Sequence, residues 1–325
     1  MFPSSTITLE AALRDIAQGS PKARAAAAHA LGNVSDPTER HRALAALLTA
    51  CEDDRPEVRA EACASLGDLG EVSAVPVLAK RLGDGVAVVR QNAAIALGSL
   101  AHPDGFAPLV EALAEGPADV RFQAATSLAE IDAERAYEPL VAALADRDPQ
   151  VVAAAALSLG AGGNRRAVTL LIDKLEHPEA ATRFDVAYAL AELGDPTGRD
   201  ILVAALGDAD RAWDAVGALG HLTDANDALG RALINKKTPP EATALAAGKL
   251  LARDASNEAA KRVLIAALTA RKIHVRGIAI EQLTEVGGDW AVAPLEKLAR
   301  SGKGGDFLEA IAAALQKIGE RDAVR

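Results

Sequence analysis

Apolar residues recur along this chain with two nested periods. On the short scale, Val58, Ala62, Leu66 and Leu69 in PEVRAEACASLGDLG (56–70) fall at helical spacing on one face, which predicts an amphipathic α-helix. On the long scale a leucine returns at Leu31, Leu66, Leu97, Leu128, Leu159, Leu190, Leu219, Leu250, Leu283 and Leu315. Five of these nine intervals are 31 residues, and the others are 35, 29, 33 and 32. A fixed period of that size predicts a stack of supersecondary units, each burying its apolar face only against its neighbours. The expected fold is therefore all-α, an α-solenoid of about ten helix pairs wound as a right-handed superhelix, occupying 1–325 as a single array. Capping repeats are expected at 1–36 and 289–325 and irregular repeats around 207–255, where a hinge or change of curvature would fit the Pro-Pro turn of INKKTPPEAT (234–243).

Each unit resolves into two helices. VPVLAKRL (75–82), APLVEAL (107–113) and EPLVAAL (138–144) read as first helices, and the segments around the recurring leucines as second helices. Turns such as Asp36-Pro37, His102-Pro103 and Asp195-Pro196 separate the pairs; proline suits a first helical turn because its missing N–H has no partner there. Seven positions before the leucine runs a stripe of arginine: Arg24, Arg59, Arg90, Arg121, Arg183 and Arg276. Lying close to the leucine face, these arginines are expected to form a structural ladder, bonding acids in adjacent turns such as Asp54, Asp84 or Asp146, rather than an anion-binding site.

VRQNAAIALG (89–98) and VRAEACASLG (58–67) follow the pattern V-R-x-x-A-A-x-A-L-G. In this the chain resembles the HEAT-like repeats of the type shared with phycobilisome lyases, and the resemblance covers essentially the whole chain, weakening at repeats seven, eight and ten. It implies that second helices line the inner face of the stack. It leaves function open, because the same repeat serves scaffolds, adaptors, chromophore lyases and enzyme appendages.

At 100° per residue, the positions nine, six, five and two before the leucine, and two after it, point away from the core. The chain has only two Trp, two Tyr and five Phe, yet Phe122, Phe184, Tyr188 and Trp213 fall on this face, joined by Ile95 and Leu157. Outward aromatics are an informative exception, and a contiguous apolar patch marks a binding site. The same positions carry many acids, among them Asp185, Glu192 and Asp214, opposed by Lys22 and Lys317. Acids early in a helix are favoured by its dipole; Asp68, Glu130, Glu192 and Glu285 come late and lack that reason.

Net charge, −10 with a pI near 5.2, disfavours nucleic acid, which is held by concentrated basic surface. Cys51 and Cys63 are too few for a disulfide framework and lack metal-ligand spacing. No run of about 18 apolar residues and no signal-peptide pattern are evident, so a cytoplasmic protein without a membrane span is expected. The six histidines are scattered and none precedes a glutamate, unlike the His-Glu pairs of HEAT-repeat deoxyhypusine hydroxylases; no metal, cofactor or catalytic constellation is assigned. SGKGGD (301–306) lacks the phosphate-loop spacing and reads as a turn.

The expectation is a non-enzymatic scaffold or adaptor, monomeric alone, holding a basic and apolar protein or peptide on Ile95, Phe122, Leu157, Phe184, Asp185, Tyr188, Glu192, Trp213 and Asp214. Alternatives are a bilin-lyase-like chromophore chaperone, whose relatives often carry Tyr or Trp at the positions of RFDVAYALAELG (183–194), and a regulatory subunit of an enzyme complex. A bilin's anionic propionates would be repelled by the acidic face.

Overall fold

A computed structural model describes residues 7–324, with the side chains of 322–324 set aside, so the outermost residues of both expected caps lie outside the described range. All regular structure among the described residues is helical, and the fold class is an α-solenoid. Internal contacts divide the chain into two compact units, Met1–Leu170 and Leu171–Arg325.

The first unit holds α1 (Leu9–Gln18), α2 (Pro21–Gly32), α3 (Pro37–Ala50), α4 (Pro56–Leu69), α5 (Val75–Arg81), α6 (Ala87–Leu100), α7 (Pro103–Glu115), α8 (Ala118–Ala143) and α9 (Pro149–Ala161). The division falls within α10 (Val168–Lys174). The second unit continues with α11 (Ala180–Glu192), α12 (Arg199–Ala205), α13 (Ala212–Leu219), α14 (Asn226–Ile234) and α15 (Pro240–Arg253). It ends with α16 (Glu258–Ala267), α17 (Ile273–Val286), α18 (Asp289–Ala299) and α19 (Leu308–Val324). Second helices pack in series: α2, α4, α6, α8 and α9 in the first unit, and α11, α13, α15, α17 and α19 in the second. Nine of the ten recurring leucines are buried; Leu315, in the last helix, is half-buried. Full burial of one such side chain stabilises by about 1.5–3 kcal/mol.

The residues beside the leucine explain how the helices approach one another. Glycine one position after it meets the small residue one position before the next leucine. A Cβ at Gly32 would lie 2.7 Å from Ser65 Cβ, one at Gly67 3.0 Å from Ala96 Cβ, and one at Gly98 2.8 Å from Ser127 Cβ. Repeats eight and nine break this ridge, placing Lys249 and Gln282 where Ser65, Ala96 and Ser127 stand earlier. Gly220 faces the Lys249 stem, and Gly248 faces Gln282.

Four positions after the leucine the backbone often turns left-handed, at Gly70 (φ 73°), Gly163 (φ 69°) and Gly194 (φ 72°). That conformation ends a helix and favours a residue without a Cβ. Ala101 (φ 47°) occupies the same position with one. In α8 the equivalent residue, Asp132, is extended (φ −162°), and its carboxylate accepts the Arg135 N–H at 3.0 Å, so α8 kinks there, the part before Asp132 serving as a second helix and the part after it as the next first helix.

Candidate functional site on the open faces of the second helices

The arginine stripe turns inward to its neighbours. Arg24 donates to both oxygens of Asp53 at 2.7 Å and to Asp54 at 2.7 Å; Arg59 donates to Asp84 at 2.8 and 2.9 Å, and Arg90 to Asp119 at 2.9 Å. Arg121 grips Asp146 through two bonds of 2.8 Å and donates to the Gly116 carbonyl at 2.9 Å. Each carboxylate precedes or opens the next second helix, so a guanidinium of one repeat is tied to the following one. Asp84 and Asp146 also accept backbone N–H groups of their own turns, from Val86 and Asp148. Hydrogen bonds from Arg59 and Arg121 hold Asp84 and Asp146 below the usual carboxylate range, against the opposing effect of burial. Arg183 donates to the carbonyls of His177 and Pro178, and Arg276 to those of Ala270 and Arg271.

In the first unit the outward positions carry an apolar patch. Ile95 is 45% exposed and Phe122 39%, while Leu157 is half-buried. Val88, 46% exposed, shares the face of Ile95 about two turns earlier on α6. Sequence reasoning passed over Val88 although it stands nine positions before Leu97, one of the outward positions.

The second unit holds the acidic part on α11 and α13. Trp213 is 41% exposed and Asp214 is exposed, while Asp185, Tyr188 and Glu192 are half-buried along one side of α11. Phe184 departs from expectation: it is 5% exposed, packed in the core with Ala187, Ala215 and Leu219, and Arg211 lies over its ring at 5.1 Å. Its position, six before the leucine, lies about 120° around the helix, within reach of the next second helix; Tyr188, two before, lies about 160° around. Arg211 escaped the sequence pattern because it stands one residue ahead of the ladder position taken by Ala212.

Burial pushes both Asp185 and Glu192 above the usual carboxylate range; for Asp185 the Arg211 charge opposes this and the Asp214 charge adds to it. Tyr188 is likewise raised, by burial first and then by the charges of Glu192 and Asp214. Among the described residues no hydrogen bond or ion pair ties down Asp185 or Glu192. These carboxylates are kept partly out of water without a hydrogen bond or ion pair, an arrangement that costs stability and is enriched at functional sites.

Ring contacts sort the aromatics into two sets. Phe106 lies under Arg135 (4.1 Å), Tyr137 under Arg166 (4.3 Å), Phe184 under Arg211, Trp290 under Lys261 (5.7 Å) and Phe307 under Arg276 (5.7 Å). Phe122, Tyr188 and Trp213, the three rings on the outward faces, carry no such cation among the described residues.

No group of three or more His, Cys, Asp or Glu among the described residues could hold a metal ion, and no helix there is long and apolar enough to cross a membrane. Paired helices, a periodic leucine core and an open face on the second helices define a helical-repeat protein. The model of HEAT repeats matches residues 8–98, 85–160 and 137–220, and the chain belongs to that family. Among solved structures it is similar to the complex of CpcE and CpcF of phycocyanin lyase from Nostoc sp. PCC7120, at 26% identity, covering 81% of this chain and 96% of that one, with a TM-score of 0.41. It is also similar to an engineered protein (21% identity, 96% and 98% covered, TM-score 0.41). A full-length AP-3 complex in an intermediate open conformation, itself a homology model, gives 16% identity, 85% and 56% covered and a TM-score of 0.56, a likeness of fold alone. No curated protein matches the chain.

Proposed function

We propose that this HEAT-repeat chain is a non-enzymatic scaffold or adaptor, and that the open face of α11 and α13 receives a basic, apolar segment of a protein partner. One observation carries the reading: among the described residues Tyr188 and Trp213 have no cation over their rings where five other rings have one, and carboxylates stand beside them. An incoming arginine supplies the missing cation and offsets the unpaired charge of Asp185, Glu192 and Asp214. A cation–π contact adds roughly 0.5–2 kcal/mol. In the first unit, Val88, Ile95 and Phe122 offer apolar surface suited to leucine or similar side chains. A bilin would bring propionates toward the same carboxylates, which favours the peptide reading over the lyase-like one.

The test uses a labelled amphipathic peptide rich in arginine and leucine, beside a twin with glutamate at every arginine. Fluorescence anisotropy should show saturable binding of the first alone, weakening with salt. Trp213→Ala should weaken it roughly 2- to 30-fold, the range of one cation–π contact, and Asp185→Asn/Glu192→Gln/Asp214→Asn should abolish it. Equal binding of both peptides, or no change in the triple variant, would overturn the proposal.

A further inference from the structure

Outside that face, the first helices of the second unit carry chemistry of their own. A cavity of about 430 Å³ lies between α16 and α18, walled by Ile265, Leu268, Pro294 and Leu298, and lined also by Lys297 and Lys303. We propose that it binds an aliphatic monocarboxylate of the medium-chain fatty-acid class, with the alkyl chain between the helices and the carboxylate at the two lysines. Its volume falls within the range of small-molecule sites, about 300–1,000 Å³, and its walls are apolar with few polar groups, the usual anatomy of such a site.

The repeat itself supplies the comparison. An equivalent cavity of about 430 Å³ lies between α7 and α8 of the first unit, walled by Val110, Leu113, Pro139 and Ala143. That one is edged by Asp146, whose charge is already engaged by Arg121, and by Ala142 where the second has Lys297. The same geometry therefore recurs with the charge at its edge reversed, in a chain whose net charge is −10. Lys303 is held in place by donating to the Thr269 carbonyl at 3.0 Å and keeps two N–H groups to give. Lys297 has no ion-pair partner among the described residues. Two ammonium groups beside an apolar slot match a carboxylate on an alkyl chain; the absence of an aromatic anchor in the walls disfavours a peptide hot spot.

The probe is decanoate below its micellar concentration, titrated calorimetrically into the full chain, with decanol and decylamine as comparators. Decanoate should saturate a single site, at least tenfold tighter than decanol, and decylamine should not bind. Lys297→Gln/Lys303→Gln should weaken decanoate at least tenfold with the melting temperature held, since both side chains are exposed. Ala293→Trp, which fills the slot from its exposed edge, should abolish binding. Absence of saturation, decanol as tight as decanoate, or unchanged binding in either variant would overturn the proposal. So would capture of an acidic helical peptide at these lysines by a protein that ignores decanoate.

Discussion

Replacing Gly98 by alanine tests the close-packed ridge most directly. The added Cβ would lie 2.8 Å from Ser127 Cβ and Oγ. Carbon atoms rest about 3.5–4.0 Å apart. Ser127 Cβ is fixed to its backbone, so α6 and α8 must separate by most of an ångström. Overpacking of this kind costs about 1–3 kcal/mol. Against it, alanine in a helix interior gains about 0.5–1 kcal/mol over glycine. Gly230→Ala provides the reference, because it sits mid-helix in α14 and a Cβ there meets nothing within 4 Å. It should gain the propensity alone. The gap between the two variants therefore isolates the contact at about 1–3 kcal/mol, read from urea unfolding followed by circular dichroism. Adding Ser127→Gly to Gly98→Ala should recover much of the loss. Equal stabilisation by both alanines would refute the reasoning, since it would mean that the two helices are not in contact at Gly98.

Arg121→Met strands the Asp146 carboxylate, whose side chain is 13% exposed, and should cost about 3–5 kcal/mol in the same unfolding assay. Because Asp84 and Asp146 titrate below their unfolded value of about 3.9, their stabilisation is present above about pH 4 and lost as pH falls through the lower folded values. Acid unfolding should begin there, and Arg121→Met should flatten that limb of the pH profile. Asp185→Asn should do the reverse of a usual site mutation, raising the urea midpoint at pH 7 while weakening the basic peptide. A carboxylate with a raised folded value destabilises when ionised, and the penalty disappears as pH falls through that value, so the gain should vanish in acid. Ala101→Gly should stabilise by about 0.5–1 kcal/mol, relieving the left-handed backbone that costs about 1–2 kcal/mol with a Cβ; an unchanged melting temperature would count against it.

The spacing of ten leucines carried the fold, because a solenoid core is a sum of local packings and needs no distant contact to be known. The acids named for the ladder, Asp54, Asp84 and Asp146, were legible for the same reason: each lies in the turn leading to the next second helix. The outward face was legible only in part. Residues two before the leucine stay at least partly exposed in nine repeats, Gly248 alone being buried, whereas six before it Ala60, Ala153, Phe184 and Ala244 are buried. The helical wheel treats a helix as isolated, and the flank position is decided by the neighbouring second helix. Arg211, which covers Phe184, comes from such a neighbour. The cavity between α16 and α18 lay beyond reach because it joins residues of two first helices and a turn, and the lysines that set it apart, Lys297 and Lys303, belong to no recurring stripe.

The ladder also bears on how such a chain can change length. A rung takes its arginine from one repeat and its aspartate from the next, and the same two parts recur at Arg24–Asp53, Arg59–Asp84, Arg90–Asp119 and Arg121–Asp146. Copying or excising one whole period in that stretch brings an arginine against an aspartate again, so the array can grow or shrink without opening a rung. Lys249 and Gln282 admit no such exchange, since each fills a space shaped for one interface. The early repeats are interchangeable parts, and the repeats around α15 and α17 are fitted to their places.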